Sequence, residues 1–294
     1  MATTVNRTLI PSAESVVFQN SSFFHFHVRL PTPQEVRAAV PAGALSNSPQ
    51  IATRVQFPHL NLFVKYGPYV QISEGQCLHV VHRLLPSTVP VPEVFGWCKD
   101  GVDTFLYMQL VPGITLDDRW ISLKVEEKQA VCENLRRIIG NLRSLQQDPT
   151  DVFIGSVGGQ PLPDNLFQEL MNGQRAGPFR SVKDFHDWFT SINLDPGIIH
   201  CERDLLKDNN RVVFTHADIH RDNVIVSPTG PPRILAIVDW GQSGWYPDYW
   251  EYCKSRSICR PHDEWETTYL PRIFGGELEE WYWDWYFFIQ RIGF

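Results

Sequence analysis

Four residues between positions 216 and 239 have the types and spacing for phosphoryl-transfer chemistry. His216, Asp218 and Asn223 form an H-x-D-x-x-x-x-N array, and Asp239 follows at the end of an apolar run. Moving a phosphoryl group onto a hydroxyl needs one carboxylate to orient the attacking oxygen and accept its proton. It also needs an amide and a second carboxylate to hold a metal on the phosphates. Asp218 suits the first task; Asn223 and Asp239 suit the second. The elements that would position them are legible nearby. Val212–Phe214, Val224–Val226 and Ile234–Val238 are short, β-branched, apolar runs that read as buried strands. Ser227-Pro-Thr-Gly-Pro-Pro between the last two reads as a turn. A strand–loop–strand–turn–strand unit would bring Asp218, Asn223 and Asp239 to one edge.

Composition narrows the alternatives. At 294 residues the chain fits one large domain or two coupled lobes. A net charge of −7 with no basic run argues against a nucleic-acid surface. No apolar stretch is long enough to span a bilayer, and the first residues lack the basic-then-apolar order of a signal peptide. The six cysteines are dispersed with no C-x-x-C pair, which suits reduced thiols in a cytoplasmic protein rather than a zinc or disulfide framework. Nothing in the sequence bears on oligomeric state.

Along the chain, Thr32 is a plausible cap for a helix over Pro33–Ala39 in an otherwise irregular first forty residues. Arg54–Phe57 and Leu60–Tyr66 read as a strand pair joined at Pro58-His59. Ser73–Leu85 is helical in composition, an extended segment starts at Pro90, and Phe105–Val111 is an apolar strand ended by Pro112-Gly113. Beyond that point Val131, Leu135, Ile138, Ile139, Leu142 and Leu145 recur at helical spacing within Val125–Leu145. The division expected is therefore an N-terminal extension and nucleotide-binding lobe over 1–111, and a helical lobe with the catalytic loop and substrate site over 112–294. The Gly- and Pro-rich stretch 155–177 reads as a long ordered loop, and Val182–Ser191 as a short helix. Lys65 ends the strand Leu62-Phe-Val-Lys, and this pattern alone fits an exposed edge lysine as well as a phosphate ligand.

With those residues in view, the chain resembles the aminoglycoside phosphotransferase family of the protein-kinase-like superfamily, and within it the fungal phosphotransferase branch. The resemblance runs from about residue 50 to 255. It is carried by Phe63-Val-Lys-Tyr-Gly, by Val89-Pro-Val-Pro-Glu-Val-Phe-Gly, by Tyr107-Met-Gln-Leu-Val-Pro-Gly, by the loop around Asp218, and by Pro247-Asp-Tyr-Trp-Glu-Tyr-Cys-Lys. It implies an α+β, bilobal protein-kinase-like fold with a small β-rich N-lobe and a larger helical C-lobe. It also implies an enzyme that uses ATP and Mg²⁺ to phosphorylate a hydroxyl of a small-molecule acceptor, with neither nucleic acid nor membrane as partner. Asp218 would then be the catalytic carboxylate, and Asn223 and Asp239 the metal ligands. Lys65, paired with Glu74, would hold the nucleotide phosphates, and backbone groups from Gln109 to Val111 would meet the adenine edge. His216 would support the loop. His220 stands where protein kinases carry a loop lysine, and fits a γ-phosphate contact or a loop hydrogen bond equally well.

The sequence departs from the wider pattern in two places. No glycine-rich phosphate loop is visible, since Ala42-Gly43-Ala44 holds the only nearby glycine and residues 48–61 hold none. Asp239-Trp-Gly replaces the Asp-Phe-Gly of protein kinases. A protein kinase is the weaker alternative, because only five residues separate Gly241 from Pro247 and no A-P-E follows. A kinase-fold binding protein without transfer, or one recruited to other metabolite chemistry, is the second alternative. The aromatic and acidic C-terminus (Glu264, Glu266, Glu279, Glu280, Trp281, Trp283, Asp284, Trp285) reads more readily as helix packing than as a substrate site.

Overall fold

The structure, a computed structural model, describes residues 3–41, 51–167, 175–195, 197–260 and 262–292. The expected phosphate-loop glycine, Gly43, lies outside them. β1 (Thr3–Thr4) pairs in parallel with β8 (Leu145–Gln146) and ties the start of the chain to the helical part. Then come β2 (Ser15–Val17), α1 (Pro33–Ala38), β3 (Thr53–Phe57), β4 (Leu62–Gly67), α2 (Ile72–Leu84), β5 (Val94–Asp100) and β6 (Asp103–Gln109). β2, β3, β4, β5 and β6 form an antiparallel sheet in the order β2-β5-β6-β4-β3.

Alternation along the strands explains how both faces are covered. Leu62, Val64, Tyr66, Phe105 and Tyr107 point to one face, where they pack with Phe23 and with Val36 of α1. Trp97, Leu106 and Met108 point to the other, against Cys77, Leu78 and Val81 of α2. α1 starts as its sequence predicts: Thr32 accepts from the Glu35 amide, Glu35 accepts from the Thr32 amide at 2.7 Å, and Pro33 occupies the first turn. α2 lies unusually close to the sheet because of Gly75. A Cβ there would stand 2.7 Å from the Trp97 ring, so only glycine lets the helix settle at this depth.

The C-terminal part comprises β7 (Ile114–Thr115), α3 (Leu116–Trp120), α4 (Val125–Leu142), α5 (Val182–Ser191), β9 (Val212–Thr215), β10 (Val224–Val226), β11 (Ile234–Ile237), β12 (Gly244–Pro247), α6 (Trp250–Ser257), α7 (Leu270–Phe274) and α8 (Glu279–Ile292). The apolar stripe of α4 is buried as its periodicity predicts from Val131 to Leu142, but the helix stops there and Leu145, expected to continue it, lies buried in β8. The three strands around the site do not form one unit. β10 and β11 make the expected hairpin, extended by β7, but β9 pairs instead with β12. β12 is a four-residue run with glycine and proline at its ends, too short and non-local to announce itself. The edge strand β2 escapes sequence reading for the same reason. Of the long loop, the described flanks are fixed by bridges from Ile154 to Phe179 and from Gly155 to Trp245. No helix among the described residues is long and apolar enough to cross a membrane.

Candidate active site

The sheet and α2 together present a buried charge cluster. Lys65 Nζ donates to Glu74 Oε1 and Oε2 at 3.0 and 2.9 Å, and to Asp239 Oδ1 at 2.6 Å. Burial alone would lower the Lys65 pKa, but the two carboxylates outweigh it and push it up to about 12. Asp239 is pulled the other way: burial would raise its pKa, yet Lys65 and then Arg54 hold it below the usual carboxylate range. Gly241 lies against this cluster, where a Cβ would stand 3.4 Å from Glu74 Oε2 and 3.7 Å from Asp239 Oδ1. A methyl group there would make ordinary van der Waals contact with the ion group.

The loop after β9 supplies the other side. Asn223 Nδ2 donates to the Asp218 backbone oxygen at 2.9 Å and to Asp218 Oδ2 at 3.0 Å. Because both partners are acceptors, the Asn223 amide nitrogen must face them, which leaves Oδ1 turned away from Asp218. The Val238 amide donates to the Asn223 backbone carbonyl at 2.9 Å, and His216 Nε2 donates to the Val238 backbone carbonyl at 3.0 Å. Asp218 and Asn223, which share a loop, and Asp239, at the end of another strand, are thereby linked by hydrogen bonds through the chain around them. Ala217 and Asp239 adopt positive φ values of 65° and 64°. Non-glycine residues in this region are strained, and such strain gathers where side chains must be aimed.

His220 sits beside Asp218 and Asp222, with Nδ1 at 3.2 Å from Asp222 Oδ2 and Nε2 at 3.8 Å from Asp218 Oδ2. Burial lowers its pKa, but the two carboxylates overcome this and raise it. The same pairing holds Asp218 below its usual range against the effect of its burial. His216 is fully enclosed, and burial drops its pKa to about 4, so it stays a neutral hydrogen-bonding group.

Two further supports carry no motif of their own. Glu251, buried at the start of α6, accepts the His216 amide at 2.7 Å and so fixes the start of the loop. Its burial pushes its pKa up to about 7. Lys254, one turn later, donates to Asp164 Oδ1 at 2.7 Å, Asn165 Oδ1 at 2.8 Å and Gln242 Oε1 at 2.9 Å, which fastens the segment after Asp239 to α6. Both residues lie in the Trp-Glu-Tyr-Cys-Lys run noted in the sequence, which identified the segment and gave no role to either residue.

At the end of β6 the Gln109 amide donates to the Glu93 oxygen and the Leu110 amide to the Asn61 oxygen. Those two amides are committed to the fold. Next to Asp218 opens a cavity of about 410 Å³, walled by Trp120, Ile121, Trp265 and Ile258 and by the Asp117–Arg221–Asp263 ion group. Another cleft, of about 450 Å³ beside Thr4–Thr8, is lined by none of these residues. Most of the aromatic C-terminus is packing: Trp285 is fully buried edge-on to Trp250, Trp281 stacks on Tyr249, and Glu266 and Glu279 pair with Arg256, whereas Trp283 is 57% exposed with Arg256 over its ring. Glu264 accepts from Trp120 Nε1 behind the cavity wall. Among the described residues no group of three or more His, Cys, Asp or Glu side chains is arranged to hold a metal. The oxygen donors at hand, Asp239 and the Asn223 amide oxygen, suit a hard cation that keeps waters and shares phosphate oxygens.

The profile of the Phosphotransferase enzyme family (APH) matches residues 72–285, which leaves the Lys65 strand just outside the match. No curated protein matches the chain. Among solved structures it is similar to aminoglycoside phosphotransferase APH(4)-Ia, at 16% identity over 83% of this chain and 90% of that one, with a TM-score of 0.46. It is also similar to an aminoglycoside-3'-phosphotransferase of type VIII, at 14% identity over 81% and 88%, TM-score 0.47. A third is APH(3'')-Id from Streptomyces rimosus in complex with ADP and streptomycin, at 14% identity over 82% and 90%, TM-score 0.45. The profile spans most of the chain, and the antiparallel sheet followed by a helical part is the kinase-like arrangement it implies: the chain belongs to the Phosphotransferase enzyme family.

Proposed function

We propose that this protein transfers the γ-phosphoryl group of ATP to a hydroxyl of a small-molecule metabolite. One observation carries the reading. Lys65 and Glu74 from the N-terminal sheet and helix meet Asp239, which is tied through Val238 and Asn223 to Asp218. In this reading Asp218 orients the acceptor hydroxyl and takes its proton, and Asn223 keeps that carboxylate aimed. Lys65, braced by Glu74, positions the nucleotide phosphates. Asp239 and the Asn223 oxygen hold Mg²⁺, which when bound neutralises charge on the phosphates. The adenine edge falls to the carbonyl of Gln109 and the amide of Val111, because the Gln109 and Leu110 amides are already used. His220 either reaches the γ-phosphate or stays on Asp218 and Asp222. The two lobes divide at 111/112, between β6 and β7. The cavity beside Asp218 has the size of a small-molecule site, and the six free cysteines fit a cytoplasmic enzyme.

A second reading, nucleotide binding without transfer, draws on one feature: both Asp239 oxygens are held by cations, Lys65 and Arg54. A thermal-shift titration with Mg·ATP, followed by assay of ATP turnover and a screen of hydroxylated metabolites by mass shift, separates the two. Stabilisation with turnover supports transfer. Stabilisation with no turnover on any acceptor supports binding alone, and no stabilisation removes both.

A further inference from the structure

We propose that Arg54 is a phosphate ligand of this site and takes over work that a glycine-rich loop does elsewhere; the assignment rests on the nucleotide-binding part of the reading above. β3 and β4 pair so that Arg54 stands directly opposite Lys65. Directly opposed residues of an antiparallel pair project from the same face, so the two cations are aimed the same way by register. Both reach Asp239, Lys65 on Oδ1 at 2.6 Å and Arg54 on Oδ2 at 3.2 Å.

Their surroundings differ. The Lys65 side chain is 11% exposed and committed to Glu74, whereas the Arg54 side chain is 60% exposed. Arg54 is therefore a solvent-accessible cation at the mouth of the cluster, and among the described residues its ion-pair partner is Asp239 at 3.2 Å. Once Asp239 turns its oxygens to a cation, the reason for Arg54 to stay on it is gone. The nearest new negative charge is then the phosphate chain that Lys65 faces. A guanidinium fork matches phosphate oxygens bidentately. The strand lies within residues 48–61, which contain no glycine, and Arg54 offers a side-chain donor in that stretch.

Calorimetry of the full chain with Mg·ATP, Mg·ADP, AMP and adenosine tests this. Arg54→Ala is expected to weaken Mg·ATP and Mg·ADP about 10- to 100-fold, the scale of one charged hydrogen-bonding group, and to leave adenosine affinity unchanged. Arg54→Lys is expected to recover part of the loss. In turnover assays the KM for ATP rises while that for the acceptor does not. Unchanged Mg·ATP affinity in Arg54→Ala overturns the assignment, and so does an equal loss for adenosine, which would mark Arg54 as a support of the sheet. If the wild-type protein bound no nucleotide at all, the reading of the site would fall together with this assignment; if it bound and only the Arg54 effect were missing, the assignment alone would fall.

Discussion

Lys65 in the N-terminal sheet and Lys254 in the C-terminal helices are both buried lysines in ion groups, yet the two clusters are built for different ends. Lys254 is 5% exposed and faces Asp164, which is fully buried, with Trp250 Nε1 on the other Asp164 oxygen. The one charged partner of that cluster is enclosed, and the partners that reach solvent, Asn165 and Gln242, are neutral amides. Lys65 is nearly as buried, but one of its partners, Asp239, is 27% exposed and strained at positive φ. That partner can be exchanged. A buried charge marks a possible site only when its ion group includes a member that a ligand can reach; otherwise it is a strut.

The largest effect that separates site from strut lies on the loop the two clusters flank. Asp218→Asn keeps the shape and the contact with Asn223 but removes the charge. Transfer is expected to fall by about 10²–10⁴-fold, with Mg·ATP affinity and unfolding free energy near wild type, as read by turnover, calorimetry and urea denaturation. Next comes the strut. Lys254→Met leaves the Asp164 carboxylate buried without its counter-ion and is expected to cost about 3–5 kcal/mol, measured by denaturation. Whatever protein remains folded should bind Mg·ATP normally, and a specific loss of nucleotide affinity would erase the distinction between the clusters.

Lys65→Met is expected to destabilise on a similar scale, because it strands Glu74 in the same way, and also to weaken nucleotide binding. Lys65→Met with Glu74→Leu should regain most of the stability and none of the binding. Recovery of both would move Lys65 to the structural side.

The smallest effect is pH dependence. His216, and His186 between Asp208 and Tyr249, both have pKa values lowered to about 4 by burial. A histidine depressed in the fold contributes stability that is full above its ordinary value near 6.5 and is lost as pH falls through the folded value. Each ring should therefore contribute a decline of up to roughly 3 kcal/mol from about pH 6.5 toward 4, against an opposite contribution from Glu251, whose carboxyl is raised to about 7. Denaturation at pH 7, 5.5 and 4 reads this, and His186→Gln should flatten the slope. Identical profiles for wild type and His186→Gln over this range would contradict the burial assigned to the His186 ring.

Much of the candidate site's grouping was legible because its residues are local to strong patterns. Asp218 and Asn223 share a loop, and Asp239 ends an apolar strand, so type and spacing suffice. Lys65 was ambiguous by pattern: a strand-end lysine looks alike whether it meets water or a buried glutamate, and only the depth of α2, set by Gly75 against Trp97, decides. Arg54, Glu251 and Lys254 were not legible. Each acts through a partner more than thirty residues away or through sheet register, and neither leaves a local periodic trace. The pairing of β9 with β12 was missed on the same ground, since non-local pairing of two four-residue runs is decided by packing.

The central claim is that Lys65, Glu74, Asp218, Asn223 and Asp239 make one metal–nucleotide site, and titration of ATP into wild type and Asp239→Ala, with and without Mg²⁺, tests it most directly. The account predicts that wild type binds ATP more tightly with Mg²⁺, and that Asp239→Ala stays folded, retains adenosine binding and loses the dependence on metal. Unchanged Mg·ATP affinity in Asp239→Ala would contradict it.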